Sequence, residues 1–166
     1  MNKYRSPVLA ALWSVAIPGF GQLYTGDYLI GLLLVILEFI INVNARLNLS
    51  ILYSFRGQFQ HAIEVTDFQW IMFYPCIYAF SIWQAYNRAL ELNTGLRRNE
   101  ENNIFTNNKY CGFFIGVAMG GTLGVIYSFL IGPILCGILG GVAGGLIGAI
   151  IEKLGRIIFS KGQRDT

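Results

Sequence analysis

The chain has one histidine, three cysteines and a charged content of only 13%. Each scarcity removes a class of function. Cys76, Cys111 and Cys136 form no CxxC pair and share no zinc-ligand spacing with His61, so no redox motif or structural zinc site is encoded. The cysteines read as apolar filler. His61, Glu64 and Asp67 recur at three-residue spacing, which resembles a ligand layout, but a histidine without a second His or Cys partner reads as part of a solvated polar face. No metal and no cofactor is expected. There is also no Walker loop, nucleophile elbow or HExxH, and no acid/base or nucleophile pair at a shared membrane depth, so an enzyme is the least supported class.

Charge is not only scarce but unevenly spread. Soluble domains carry about 25% charged residues, whereas residues 110–151, 42 in all, carry none. Of the 20 glycines, 12 lie in that run. Gly112, Gly116, Gly120 and Gly124 form one row at four-residue spacing, and Gly137, Gly141, Gly145 and Gly140, Gly144, Gly148 form two more. Glycine in a water-exposed helix costs about 1 kcal/mol relative to alanine. In hydrocarbon, however, backbone groups must pair within the segment, and small residues let helices approach closely. The rows therefore mark helix contact surfaces in a membrane.

A spanning helix needs about 20 mainly apolar residues. Four segments approach this: Tyr28–Val43, Trp70–Tyr86, Tyr110–Ile131 and Pro133–Ile151, with Gly132-Pro133 dividing the uncharged run into a hairpin. Pro7–Tyr24 is interrupted by Ile17-Pro18-Gly19-Phe20-Gly21 before it completes a crossing. If it returns to the side it came from, 10 of the 12 Lys and Arg residues share one side and only Arg46 and Arg56 lie opposite. Five full crossings divide them 8 against 4. Because cytoplasmic loops accumulate Lys and Arg, the re-entrant arrangement is preferred. A cleaved signal peptide ending near Ser14-Val15-Ala16 would invert every later loop, which the same count disfavours.

The expected class is all-α: a membrane bundle of four crossing helices, with a broken or re-entrant N-terminal helix and an amphipathic interfacial helix. It divides into a helical pair with a turn (1–44), an amphipathic segment (45–68), a transmembrane helix (69–87), a polar cytoplasmic loop (88–109), a glycine hairpin (110–152) and a basic tail (153–166). Together these form one membrane domain. In 45–68, Leu47, Ile51, Leu52, Phe55, Phe59 and Ile63 recur at helical spacing, opposite Arg56, Gln60, Glu64 and Asp67.

Two motifs carry candidate sites. The turn Pro18-Gly19-Phe20-Gly21-Gln22-Leu23-Tyr24-Thr25-Gly26, set between two apolar helices, resembles the two-helix TM2 domain and its relatives among small bacterial membrane proteins. The resemblance covers Ser6–Ile41 and departs from the TM2 pattern where an aromatic-Gly-x-His-Arg-Phe-Tyr type turn is usual. Pro18 ends the helix, Gly19 and Gly21 permit positive φ, Gln22 and Tyr24 can bond the freed backbone, and Gly26 closes the motif; the turn is structural or else lines a ligand or ion site. Glu38 is the one carboxylate inside an expected span, with Asn42 one turn on, which makes the pair a candidate ion or proton site.

The C-terminal glycine rows resemble the glycine zipper of oligomeric channels and membrane-inserting toxins. Expected partners are the lipid bilayer and either a second copy or another membrane protein; nucleic acid is not among them. The expected role is a structural or interaction component of a membrane complex, with a small homo-oligomeric channel or permeabilising protein as the alternative. The expected location is a bacterial inner or cytoplasmic membrane, with both termini cytoplasmic.

Overall fold

The computed structural model describes residues 4–97, 109–129 and 131–162. Among these the chain is all-α, with no strand. The helices are α1 (Pro7–Ala16), α2 (Phe20–Thr25), α3 (Tyr28–Ala45), α4 (Leu47–Phe55), α5 (Phe59–Val65), α6 (Phe68–Ile71), α7 (Tyr74–Arg97), α8 (Cys111–Ile126) and α9 (Gly132–Gly162). The chain falls into two compact units, Met1–Ile41 with Ile77–Lys109 and Asn42–Cys76 with Tyr110–Thr166.

Local chemistry explains most boundaries. Ser6 caps α1 by accepting the Leu9 N–H, and Pro7 occupies the first turn, where a missing N–H costs nothing. Gly19 (φ 106) and Gly26 (φ 92) take left-handed conformations on either side of α2. α4 ends at Arg56-Gly57, with Gly57 at φ 73 and the Gln58 N–H returning to the Tyr53 carbonyl. Asp67 caps α6 by accepting the Gln69 and Trp70 N–H groups.

Several sequence expectations change. The single amphipathic helix over 45–68 is three short helices, because Gly57 provides a left-handed stop and the Thr66-Asp67 step is extended. α7 continues to Arg97, past Asn93-Thr94-Gly95, which are expected to end its helical extension into the segment from residue 88. The helix survives because the Thr94 hydroxyl turns back to the Leu90 carbonyl and Asn93 finds a partner off the helix. Residues 98–108 of that loop and 163–166 of the tail lie outside the described residues. α9 runs past Ile151 to Gly162, since Glu152 and Arg156 pair at i,i+4 and support the helix beyond the apolar stretch. The uncharged run divides as expected ahead of Pro133: α8 ends at Ile126, Gly132 takes φ 79, and Pro133 falls in the first turn of α9.

Among the described residues two helices are long and apolar enough to cross a membrane: α3, at mean hydropathy 2.1, and Gly132–Ile157 of α9, at 2.3. α8 has 16 residues and α1 has 10, lengths of about 24 and 15 Å at 1.5 Å per residue.

Candidate functional site

The turn motif is held by α7. Gly21 lies inside α2 and does not take the positive φ expected of it; a Cβ there would meet the Ala10 carbonyl and the Ser14 hydroxyl, and would lie 2.7 Å from Ala85 Cβ. Gly19 is restricted twice, by its positive φ and by Val35, whose N would be 3.0 Å from an added Cβ. Gly26 has open space around it, so only its φ demands glycine.

Gln22 is fully buried and uses its whole amide. Its Nε2 donates to the Ser81 carbonyl and to Gln84 Oε1, each at 2.8 Å. Its Oε1 accepts from the Ser14 and Ser81 hydroxyls, each at 3.3 Å. A glutamine side chain has two donors and two acceptor lone pairs, so none remains for a ligand. Ser81 is equally committed, accepting the Gly19 N–H at 3.1 Å while donating to Gln22.

The ladder continues outward. Gln84 Nε2 donates to Asp27 Oδ2 at 3.2 Å, Arg88 Nε to Asp27 Oδ1 at 3.1 Å, and Arg88 Nη1 to Glu91 Oε2 at 2.8 Å. The Glu91 carboxylate first, and Asp27 with it, holds the Arg88 guanidinium above the usual arginine range. Ser81, Gln84 and Arg88 recur at i, i+3 and i+7, which places them on one face of α7. That spacing was the available signal, and it is absent from the sequence-derived set.

Both ends of the α1–α2 pair meet the same end of α7. Asn93 accepts the Arg5 N–H at 2.9 Å and donates to the Arg5 carbonyl at 2.6 Å. Tyr24 joins this end: its hydroxyl accepts the Ser6 N–H at 3.2 Å, and the Arg5 guanidinium lies 5.2 Å from its ring centroid. Asp27, just past α2, meets Arg88, while the turn at Gly19 meets Ser81. Along α7, Asn93 and Arg88 lie about 18 and 10 Å from Ser81 at 1.5 Å per residue. The pair thus folds back on itself. Asn87 forms a second such clip, accepting the Lys109 N–H and donating to the Lys109 carbonyl.

In the other unit, α8 and α9 pack backbone to backbone. A Cβ on Gly116 would strike the Gly144 carbonyl, one on Gly120 the Gly140 carbonyl, and one on Gly124 the Cys136 carbonyl. From the other side, Gly140 sits between Gly120 and Gly124, Gly144 between Gly116 and Gly120, and Gly148 between Gly112 and Gly116. Four glycines on α8 therefore make three notches, and three glycines on α9 fill them. A slip of one turn either way would push Cys136 or Glu152 into a notch that has no room for a Cβ, so the count fixes the register. In the other row, Gly137 faces the Val125 side chain and Gly145 those of Val117 and Phe113, while a Cβ on Gly141 would stand in ordinary contact with Val117, 3.6 Å from its carbonyl.

Glu152 closes the open end of this hairpin. Its Oε2 accepts the Gly112 N–H at 2.8 Å, which satisfies one of the free donors at the start of α8, while Oε1 pairs with Arg156. Gly121 packs against Pro75.

Glu38 and Asn42 are each half-buried on α3, and each is engaged in an interaction of its own. His61 is exposed, with its ring 5.7 Å from that of Tyr53. Among the described residues no group of three His, Cys, Asp or Glu is placed to hold a metal ion. No family model, curated protein or solved structure matches this chain.

Proposed function

We propose that this chain is a multi-pass membrane protein that acts through helix packing, as a structural or interaction component of a membrane assembly. The observation that carries the reading is how little of the two longest apolar helices is covered. Only 22% of α3 and 17% of the most apolar 18 residues of α9 are buried, whereas the core helix of a soluble protein is mostly buried. Ile138, Leu139, Val142, Leu146, Ile150 and Ile151 all stand exposed on α9, and an apolar surface of that extent needs a lipid or protein neighbour.

In this reading α3, α7, α8 and α9 cross the bilayer and α1–α2 is re-entrant. The return of Arg5 and Asp27 to one end of α7 supports that arrangement, because it keeps ten of twelve basic residues on one side, the cytoplasmic one. The buried ladder supports it as well, since non-helical backbone at membrane depth must be satisfied within the protein. A TM2-like origin for residues 6–41 belongs to the same proposal.

The glycines that would line a pore are occupied between α8 and α9, which favours packing over conduction. The test is alkaline carbonate extraction of native membranes, followed by cross-linking and ion flux in proteoliposomes. Retention in the membrane, cross-links and no flux are expected. Release into the soluble fraction overturns the membrane reading, and flux from a defined oligomer replaces the packing role with a channel.

A further inference from the structure

α4 is amphipathic in the opposite sense to a soluble surface helix. Its inward side is Leu47, Ser50 and Ser54, all buried, with Ser50 Oγ 2.7 Å from the buried Thr66 hydroxyl and Ser54 beside Gly132 at the start of α9. Its outward side carries Leu49, Leu52 and Phe55, the last 72% exposed, with the exposed Asn48 the one polar side chain among them. The protein interior takes Leu47 and the two serines, and Leu49, Leu52 and Phe55 are left outside.

The ends of this face are charged alike. Arg46 at the N-cap and Arg56 at the C-cap are both exposed, and neither has an ion-pair partner among the described residues. Arg46 holds a left-handed backbone, φ 53, which is uncommon for a residue with a Cβ. The nearby acids are otherwise occupied: Glu64 accepts from Gln60 on α5, and Asp67 caps α6. Tyr127, which follows α8, adds an exposed ring of the kind enriched at headgroup depth.

We propose that the Leu49–Leu52–Phe55 face of α4 docks into the bilayer interface, with Arg46 and Arg56 on the phosphates of anionic lipid. The inference rests on the membrane reading above and adds to it a face, an orientation and a headgroup chemistry. Apolar side chains reach the acyl boundary while the two guanidinium groups, about 15 Å apart along ten residues of helix, take headgroup oxygens. Each arginine near an anionic surface shifts the docked population about fivefold.

The test uses the full chain in vesicles, with Cys76, Cys111 and Cys136 replaced by serine and a nitroxide placed by Leu52→Cys, Phe55→Cys, Gln58→Cys or, as a reference on α9, Ile147→Cys. Relaxation by oxygen and by a water-soluble nickel chelate reports depth. In vesicles of phosphatidylcholine mixed with phosphatidylglycerol, labels at 52 and 55 are expected in the oxygen-rich layer and the label at 58 in water. Arg46→Gln with Arg56→Gln should draw labels 52 and 55 outward in these vesicles and not in phosphatidylcholine alone. If label 147 is in lipid while 52 and 55 meet the nickel chelate, the docking proposal is overturned and the membrane reading stands. If 147 also meets it, the membrane reading itself falls. Immersion that ignores both phosphatidylglycerol and the arginines overturns the headgroup assignment.

Discussion

Replacing Gly116 by alanine is the sharpest probe of the α8–α9 seam, because a single methyl group has nowhere to go. Its Cβ would run into the Gly144 carbonyl and sit 2.7 Å from the carbonyl carbon and 3.2 Å from Gly145 Cα. All three are backbone atoms, so no side chain can rotate away. Overpacking of this kind costs about 3 kcal/mol at the upper end of its usual range, against a gain of about 1 kcal/mol from improved helix propensity. The net expectation is a loss of about 2 kcal/mol. Gly155→Ala supplies the control: it lies on the partner helix α9, is exposed and has nothing within 4 Å of an added Cβ, so only the gain of about 1 kcal/mol applies. The same chemical change should therefore separate the two variants by about 3 kcal/mol, with opposite signs relative to the parent. Unfolding monitored by circular dichroism in one detergent, titrated with a denaturing detergent, measures both. If the two variants unfold together, the seam is not the close backbone contact described and the register argument fails with it.

Gln22→Glu removes both donors to Ser81 and Gln84 and sets a carboxylate against two acceptors; a loss of about 4 kcal/mol is expected by the same unfolding assay. Glu152→Ala strips the cap from the first turn of α8 and should cost about 1 kcal/mol, whereas Glu152→Gln, which keeps an acceptor for the Gly112 N–H, should cost less. Equal losses would assign the effect to charge alone. Asn93→Ala releases the Arg5 backbone and should speed protease cleavage ahead of α1 without changing global unfolding.

The all-α class and the existence of α3 and α9 were legible because both rest on long apolar runs with little charge. The glycine spacing was equally legible, since four-residue rows have one geometric meaning on a helix. Partners distant in sequence were not. Gln22 announces that it needs hydrogen bonds, but nothing near it names Ser81 or Gln84, and the i, i+3, i+7 stripe on α7 was divided between an expected span and an expected loop. The outward apolar face of α4 was hidden by the assumption that 45–68 forms one helix, which Gly57 prevents. Polar residues at the ends of α7 and α9 read as loop because composition alone does not show that Thr94 and Arg156 are satisfied on the helix itself.

The two seams differ in how much chain separates their halves, and this sets an order in time. Gly124 and Cys136 are twelve residues apart, so the α8–α9 hairpin closes with little loop entropy to overcome and can align as soon as both helices exist. Gln22 must wait for partners 59 and 62 residues downstream, and Arg5 for one 88 residues away. During synthesis the first hairpin therefore emerges with its buried amide unserved. In the re-entrant arrangement proposed above, α1 and α2 wait at the wet edge of the bilayer until α7 brings Ser81 and Gln84, which admit them to its interior.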